Sequence, residues 1–249
     1  MIRVSVISYL NSIPFAWCLE HSSVRNEIEL SYDIPSKCAD KLLADEADIG
    51  LIPVVETLRM PEHYIVSDFC IGADDIVRTV VLASETPTKD ISTIYLDSHS
   101  RSSVIFAKIL AKHYWKIEPE WVHFHGDITS YPRNGNTAAV VIGDKTFGLQ
   151  SPYIYDLAVE WRKFTGLPSV FACWVANKRL DESFLIRFNA ALTNIPANLD
   201  AIVEYYKDRA PVGINLHDYW TNNISYPLTK DKREGMKLFL QYAGELYYT

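Results

Sequence analysis

Short apolar runs alternate with amphipathic stretches along most of this chain. The apolar runs are rich in Val and Ile and are bounded by Gly, Pro, Asp, Asn or Ser, which is typical of β-strands. They predict strands over residues 2–7, 27–34, 48–54, 77–84, 92–97, 121–125, 138–143 and 170–177. Because the stretches between them have helical periodicity, the pattern indicates an α/β protein built from βα units.

The amphipathic stretches predict helices over residues 13–21, 36–47, 100–115 and 155–166. Pro14 lies in the first turn of the first helix, Ser36 is a candidate N-cap of the second, and Gly166 fits the C-cap of the fourth. From Asp181 onward the sequence predicts helices almost to the end. Pro196 and the turn-rich segments after it divide this helical tail.

Polar side chains cluster at three of the strand-to-helix junctions. The run DIGLIPV (48–54) is apolar on both faces, which is typical of a buried parallel strand. Ligand sites in open parallel sheets collect at the carboxyl ends of the strands. The sequence therefore predicts a site built from the junctions SYLNS (8–12), DSHSRSS (97–103) and IGDKTF (142–147).

Composition narrows the class of protein. The chain has 249 residues, 48% of them hydrophobic, and a net charge of −7 with scattered basic residues, so it can bury a large core and offers no broad surface for nucleic acid. It begins without a signal-peptide pattern, and no apolar run approaches the roughly 18 residues of a membrane span. We expect a soluble cytoplasmic protein whose four dispersed cysteines are reduced and packed as small apolar groups.

The segment DSHSRSS is the most suggestive of the three junctions. Four serines (Ser98, Ser100, Ser102 and Ser103) and Arg101 surround the expected start of a helix, where backbone N–H groups and the helix dipole favour an anion. Hydroxyls and a guanidinium form a suitable cradle for a carboxylate. The alternative, that one serine caps the helix and the others are solvated, is equally open.

Asn11 in SYLNS also has two interpretations. Asn11 or Ser12 can cap the helix that begins near Ile13, which is the usual role of such residues. The Asn11 amide can also donate to and accept from a substrate hydroxyl or carboxylate. The two roles are compatible with each other.

Other polar residues carry weaker signals. His123 and His125 would share one face of a strand, but no matching ligand motif accompanies them, so we predict no metal site. His99 is a candidate substrate contact, and Asp144 can cap, pair with an arginine or act on substrate. The chain has no Gly-rich phosphate loop, nucleophile elbow or HExxH motif, which disfavours nucleotide cofactors, serine hydrolysis and zinc proteolysis.

Five segments taken in order resemble the chorismate dehydratase family of the futalosine route to menaquinone. They are VISYLNSIPF (6–15), ADIGLIPVVE (47–56), DSHSRSSVIFAKIL (97–110), AAVVIGD (138–144) and YDLAVEWRKFTGLPSVFACWVAN (155–177). The resemblance covers about residues 1–180. No single segment is decisive, and the five in register make the signal specific.

The resemblance implies a two-lobed fold like that of the type II periplasmic binding proteins, with mixed sheets flanked by helices and the ligand clamped between the lobes. Mapped onto this chain, it predicts one lobe from residues 1–83 and 175–249 and a second lobe from residues 84–174.

The activity implied by the resemblance is loss of water from chorismate to give 3-[(1-carboxyvinyl)oxy]benzoate, without a metal or redox cofactor. The family's motif carries the catalytic role to Asn11. By the same resemblance Ser100, Arg101, Ser102 and Ser103 would bind a substrate carboxylate, with Ser12 and Asp144 nearby. No general base stands among the matched residues, and a carboxylate of the substrate itself can take the proton.

This chain departs from the family pattern in one place. Many relatives carry a basic residue shortly after the motif asparagine, where this chain has Ser12 and Ile13. The cationic contact is either absent from this chain or supplied from elsewhere, with Arg78 as the candidate.

Two other functions stay open. One is a non-catalytic intracellular protein of the same fold that binds or senses a small anion. The other is the enzyme of the same pathway that acts on cyclic dehypoxanthine futalosine. The SYLN motif disfavours this alternative, because that enzyme begins with a different motif. The sequence does not decide between a monomer and a homodimer.

Overall fold

The computed structural model describes residues 1–97 and 100–247, with the side chain of residue 247 left out. Its β-strands are β1 Ile2–Ile7, β2 Ile28–Asp33, β3 Ile49–Pro53, β4 Tyr64–Ala73, β5 Val80–Ser84, β6 Thr93–Asp97, β7 Glu120–Phe124, β8 Thr137–Ile142, β9 Tyr153–Asp156, β10 Ser169–Ala176 and β11 Ser225–Pro227. Its α-helices are α1 Ile13–Glu20, α2 Pro35–Leu43, α3 Ser102–Ile109, α4 Leu157–Thr165, α5 Glu182–Thr193, α6 Ile195–Tyr206, α7 Leu216–Asp218 and α8 Lys230–Tyr247. All of the predicted strands are present, which confirms the α/β class.

The chain divides into two compact units. Unit 1 comprises residues 1–72 and 170–229, and unit 2 comprises residues 73–169 and 230–249. These boundaries differ from those that the sequence suggested. Strand β5 belongs to unit 2 because it pairs with β8 and β9, and the last helix, α8, also belongs there.

Unit 1 is built on a six-stranded mixed sheet in the order β11-β4-β10-β3-β1-β2. Strand β1 lies parallel to both β2 and β3, whereas β10 runs antiparallel to β3. Because β1, β2 and β3 run in the same direction, the segments that follow them emerge at one edge of the sheet. The core beneath this edge is aromatic, with the Phe15 ring packed edge-on against those of Trp174 and Tyr226.

Unit 2 contains a five-stranded sheet in the order β7-β6-β8-β5-β9. Strands β6, β7 and β8 are parallel, and β5 runs antiparallel to β8. The start of β5 therefore lies beside the end of β8, where Val80 is opposite Ile142. This register brings the segment before β5 to the same edge as the segments after β6 and β8.

Helix α8 packs on unit 2 through aromatic side chains. The Phe239 ring stacks on Phe106 of α3 with 4.1 Å between centroids, and Tyr242 lies 5.8 Å from Phe164 of α4. The sequence predicted this helix but placed it with unit 1. Periodicity identifies the apolar face of a helix but not the surface on which that face packs.

The predicted helix ends are partly confirmed. Gly166 is the C-cap of α4 with φ of 75°, a left-handed conformation that favours glycine. The prediction for Ser36 is wrong, because α2 begins one residue earlier at Pro35 and Ile34 occupies the N-cap position. The ring of Pro35 presets the backbone angle of a first helical residue, so it defines this start without a capping side chain.

All four cysteines, Cys18, Cys38, Cys70 and Cys173, are buried. Burial raises the pKa of the Cys18 thiol to about 11 and that of the Cys38 thiol to about 12, so neither is a thiolate nucleophile at neutral pH. Within residues 1–97 and 100–247, no helix combines the length and the hydropathy that a membrane crossing requires.

An ion cluster around the buried Asp48 joins the amino ends of the central strands in unit 1. The Asp48 carboxylate accepts hydrogen bonds from the backbone and the guanidinium of Arg3 at 2.8 Å each, and Lys178 Nζ lies 2.5 Å away. Hydrogen bonding to Arg3, which outweighs the opposing effect of burial, and a further bond from Lys178 hold the pKa of Asp48 far below its usual range.

This cluster predicts how stability depends on pH. Since the pKa of Asp48 is lower in the folded than in the unfolded chain, its ionisation stabilises the fold above about pH 4, and that contribution is lost as the pH falls further. We expect Asp48→Asn to lower the free energy of unfolding at pH 7 and to flatten its fall between about pH 5 and pH 2. Urea titrations across this range measure both effects, and an unchanged pH slope would contradict the assignment.

Candidate functional site

The loop after β1 is shaped by its own backbone and by Ser12. Residues Leu10–Ser12 form a 3-10 turn that leads directly into α1. The Ser12 hydroxyl donates to the Ile7 carbonyl and lies 2.9 Å from the Tyr9 carbonyl. Ser12 occupies the N-cap position of α1, but its side chain makes no capping hydrogen bond. Because Ser12 is fully buried and its hydroxyl is engaged in this way, the structure gives it a role in forming the loop rather than in contacting a ligand.

Two aromatic residues from the C-terminal segment of unit 1 hold this loop through hydrogen bonds to its backbone. Trp220 Nε1 donates to the Leu10 carbonyl at 2.7 Å, and the Tyr226 hydroxyl donates to the Asn11 carbonyl at 3.0 Å. Burial raises the pKa of Tyr226 well above its ordinary value, so the phenol keeps the proton that it donates. The sequence did not identify either residue, because both lie in segments that looked like simple turns.

The side chain of Asn11 has unused hydrogen-bonding capacity. Its Oδ1 atom is buried and has no hydrogen-bond partner among the residues that the structure describes. Leaving a buried acceptor unsatisfied costs about 1–3 kcal/mol, and such atoms are uncommon in native proteins. The Leu10 carbonyl and the Ser12 hydroxyl are both engaged, so the Asn11 amide oxygen is a group at the end of β1 that is available to a ligand.

Two carboxylates follow the strands on either side of β1. Asp33 ends β2 and accepts hydrogen bonds from Lys41 and from Ser5 at 3.0 Å. Burial opposes its ionisation, but these bonds outweigh burial and lower the pKa of Asp33. Glu56, in the 3-10 turn after β3, is almost fully buried and pairs with Arg59 at 2.6 Å. The sequence reading overlooked both carboxylates.

The serine cluster lies at the start of α3 in unit 2, as the sequence predicted. Ser100, Ser102 and Ser103 are all buried. The N-cap position of α3 is occupied by Arg101, whose side chain makes no capping hydrogen bond. Because Ser100, Ser102 and Ser103 are buried, the alternative in which every serine but one is solvated is wrong. Ser98 and His99 lie outside the described residues.

The turn after β8 lies beside the serine cluster because β6 and β8 are parallel neighbours. This turn, Gly143–Thr146, contains Asp144 and Lys145. Lys145 Nζ lies 3.3 Å from a carboxylate oxygen of Asp97, the buried last residue of β6. The ion pair connects the two junctions that the sequence identified separately, and neither Asp97 nor Lys145 was among the predicted site residues.

Arg78 reaches the same edge of unit 2 from the segment before β5. The carbonyl of its neighbour Thr79 accepts a hydrogen bond from the Gly143 amide at 2.9 Å. The Arg78 guanidinium carbon lies 6.0 Å from the centre of the Phe147 ring. In the described part of the chain it has no acidic partner. Unit 2 thus places Arg78, the serine cluster and Asp144 at one edge of its sheet.

His123, on β7, and His125, just after it, are not part of a metal-binding group among the described residues. His123 and His125 are both exposed. Among the residues that the structure describes, no three His, Cys, Asp or Glu side chains come close enough together to hold a metal ion.

Comparison with known proteins identifies the family of this chain. The sequence profile of the menaquinone biosynthesis family matches residues 2–245. A chorismate dehydratase from Campylobacter jejuni is 25% identical over 251 residues, and the alignment covers 96% of both chains.

Solved structures show the fold. A protein from Archaeoglobus fulgidus superposes with a TM-score of 0.76 at 15% identity, covering 100% of this chain and 98% of that one. The periplasmic aliphatic sulphonate binding protein of Escherichia coli gives a TM-score of 0.61 at 12% identity, covering 99% and 91%. These matches confirm the periplasmic-binding-protein-like fold. The family profile and the Campylobacter relative confirm the resemblance seen in the sequence. The chain belongs to the menaquinone biosynthesis family.

Proposed function

We propose that this protein is a chorismate dehydratase, which removes water from chorismate to give 3-[(1-carboxyvinyl)oxy]benzoate in the futalosine route to menaquinone. Membership of the menaquinone biosynthesis family and the similarity to the Campylobacter enzyme support this proposal. The observation that carries it is the Asn11 loop, in which the backbone is held by Trp220 and Tyr226 while the amide oxygen has no partner within the described residues.

The reaction is a cofactor-free elimination. The C3 proton and the C4 hydroxyl of chorismate leave together as water, and the remaining ring becomes aromatic, which makes the product strongly favoured. The barrier lies in the weak acidity of the C–H bond and in the poor leaving ability of hydroxide. Holding the substrate in the reactive geometry and aiming polar groups at the departing oxygen lower such barriers by several kcal/mol.

Asn11 is suited to the leaving hydroxyl. An amide oxygen accepts a hydrogen bond from a hydroxyl but not from an ionised carboxylate. The unsatisfied Oδ1 atom therefore favours the C4 hydroxyl as its partner, and the amide NH₂ can donate to the same oxygen as it departs or to the enolpyruvyl carboxylate. The hydrogen bonds from Trp220 and Tyr226 reduce the freedom of the loop, so little ordering remains to be done when the substrate binds.

Unit 2 supplies groups for the carboxylates of chorismate. Ser100, Ser102 and Ser103 with Arg101 surround the amino terminus of α3, where backbone N–H groups favour an anion. Arg78 adds a guanidinium that has no acidic partner among the described residues, and we assign it the cationic contact with the substrate. Asp144 borders this group. We assign the removal of the C3 proton to a carboxylate of the substrate itself.

Incubating the purified protein with chorismate tests the proposal. We expect the ultraviolet absorbance of the cyclohexadiene to be replaced by that of a benzoate, with a product whose mass is lower by one water. The rate should survive dialysis against a chelator and require no added nucleotide. Saturable binding of chorismate without conversion would instead identify a small-anion binding or sensing protein and would contradict the proposed enzyme.

A further inference from the structure

Arg78 has an unusual backbone conformation. Its φ angle is +65°, in the left-handed region that residues other than glycine rarely adopt. Two other non-glycine residues in the described part of the chain share it, Asp45 and Lys116, and both lie at helix ends, where a left-handed residue is common. Arg78 follows no helix, so something else must hold it in this conformation.

The Asp156 carboxylate provides that restraint. Its Oδ2 atom accepts hydrogen bonds from the amides of Val77 at 3.1 Å and Arg78 at 2.7 Å. Its Oδ1 atom accepts from the amides of Ala158 at 3.0 Å and Val159 at 3.3 Å, which caps α4. One carboxylate thus ties the segment that carries Arg78 to the start of a helix.

We propose that Asp156 is a positioning residue that fixes Arg78 for binding a substrate carboxylate. The inference rests on the proposed function, in which Arg78 supplies the cation. A helix cap alone needs only the bonds of Oδ1. The two hydrogen bonds to Oδ2 have no part in the cap, and they come from the segment that carries Arg78. The Arg78 side chain is exposed and has no acidic partner among the described residues.

The expected signature is a change in KM with little change in kcat. The Arg78 side chain loses conformational freedom when it binds an anion, and a backbone that is already fixed reduces that cost. Releasing the backbone should weaken binding by an amount typical of one hydrogen bond to a charged group. Releasing this backbone does not affect Asn11, the residue that acts on the C4 hydroxyl.

Asp156→Ser separates the two roles. Serine is a good N-cap, so α4 keeps a capping oxygen, while the bonds to the Val77 and Arg78 amides are lost. We expect KM for chorismate to rise about tenfold with kcat within about twofold of wild type. Arg78→Ala should raise KM by at least as much. In the Arg78→Ala background, Asp156→Ser should add no further increase, because the side chain that it positions is gone.

Asp181→Ser is the matched control, since Asp181 caps α5 in unit 1 through a bond from the Phe184 amide at 2.9 Å and does not hold the segment that carries Arg78. It should leave KM unchanged. Asp156→Asn, which keeps the shape of the side chain, should raise KM in the same direction, and it replaces the serine variant if that variant does not fold. The proposal is overturned if Asp156→Ser leaves KM unchanged or raises it equally in both backgrounds. Failure of the wild type to convert chorismate would instead overturn the proposed function.

Discussion

Replacing Asn11 by alanine is expected to lower kcat for chorismate by about 10²–10³-fold, the loss seen when one preorganised polar group is removed from an active site. The backbone around residue 11 is held by Trp220, Tyr226 and Ser12 through main-chain carbonyls, and these contacts do not use the Asn11 side chain. The variant should therefore fold normally. Steady-state kinetics measures the rate, and circular dichroism with thermal unfolding verifies the fold.

Asn177 offers a matched control for Asn11. Its Nδ2 atom donates to the carbonyls of Leu42 at 3.1 Å and Ala47 at 3.2 Å, and its Oδ1 atom, like that of Asn11, is buried without a partner among the described residues. It follows β10 beside the start of β3, at the edge of the sheet opposite to Asn11. Asn177→Ala should cost about 1–3 kcal/mol of stability and leave kcat unchanged.

The comparison of the two asparagines separates chemistry from packing. If Asn11→Ala keeps a rate near that of the wild type, the catalytic assignment is wrong. If both variants lose activity in proportion to their stability, the unsatisfied amide oxygen is a structural feature of the fold. Retention of chorismate binding by an inactive Asn11→Ala variant would place the loss in the chemical step.

Periodicity predicted the strands that are apolar along most of their length. It missed β4, whose run is interrupted by Ser67 and Asp68, and the short strands β9 and β11. Strand β9 has four residues and merges with the pattern of the helix that follows it. A strand of this length carries too few alternations to be distinguished from a helix start.

Two of the three junctions that the sequence identified, DSHSRSS and IGDKTF, do gather at one edge of the unit 2 sheet, because parallel neighbours end at the same edge of a sheet. What stabilises each junction could not be predicted in this way. Trp220 Nε1 donates to the carbonyl of Leu10, which lies 210 positions away in the sequence. The Arg78 amide donates to the carboxylate of Asp156, which lies 78 positions away. Local patterns also suggested that the serines cap helices, whereas the Ser12 hydroxyl is used by carbonyls within its own loop. Tertiary contacts decided the first outcome, and local hydrogen bonds decided the second.

Gly235→Ala is expected to destabilise the protein by about 2 kcal/mol. A Cβ atom at Gly235 would lie 2.3 Å from the Pro168 carbonyl oxygen, far inside van der Waals contact. That oxygen belongs to the backbone just before β10, so it cannot rotate away as a flexible side chain would, and overpacking of this kind costs about 1–3 kcal/mol or more. Alanine's higher helix propensity returns at most about 1 kcal/mol.

Gly244→Ala, in the same helix, should have the opposite sign. Among the described residues, and apart from the neighbouring backbone of α8 itself, no atom lies within 4 Å of a Cβ built at Gly244, so the substitution brings only the gain in helix propensity, about 1 kcal/mol of added stability. Urea unfolding of the two variants beside the wild type measures both changes. If Gly235→Ala is neutral, α8 can shift away from Pro168 and its close packing on unit 2 is not required. A large loss at Gly235 with a gain at Gly244 would show that the helix is held at this contact, and that the tail of the chain helps to support α3, on which Phe239 stacks.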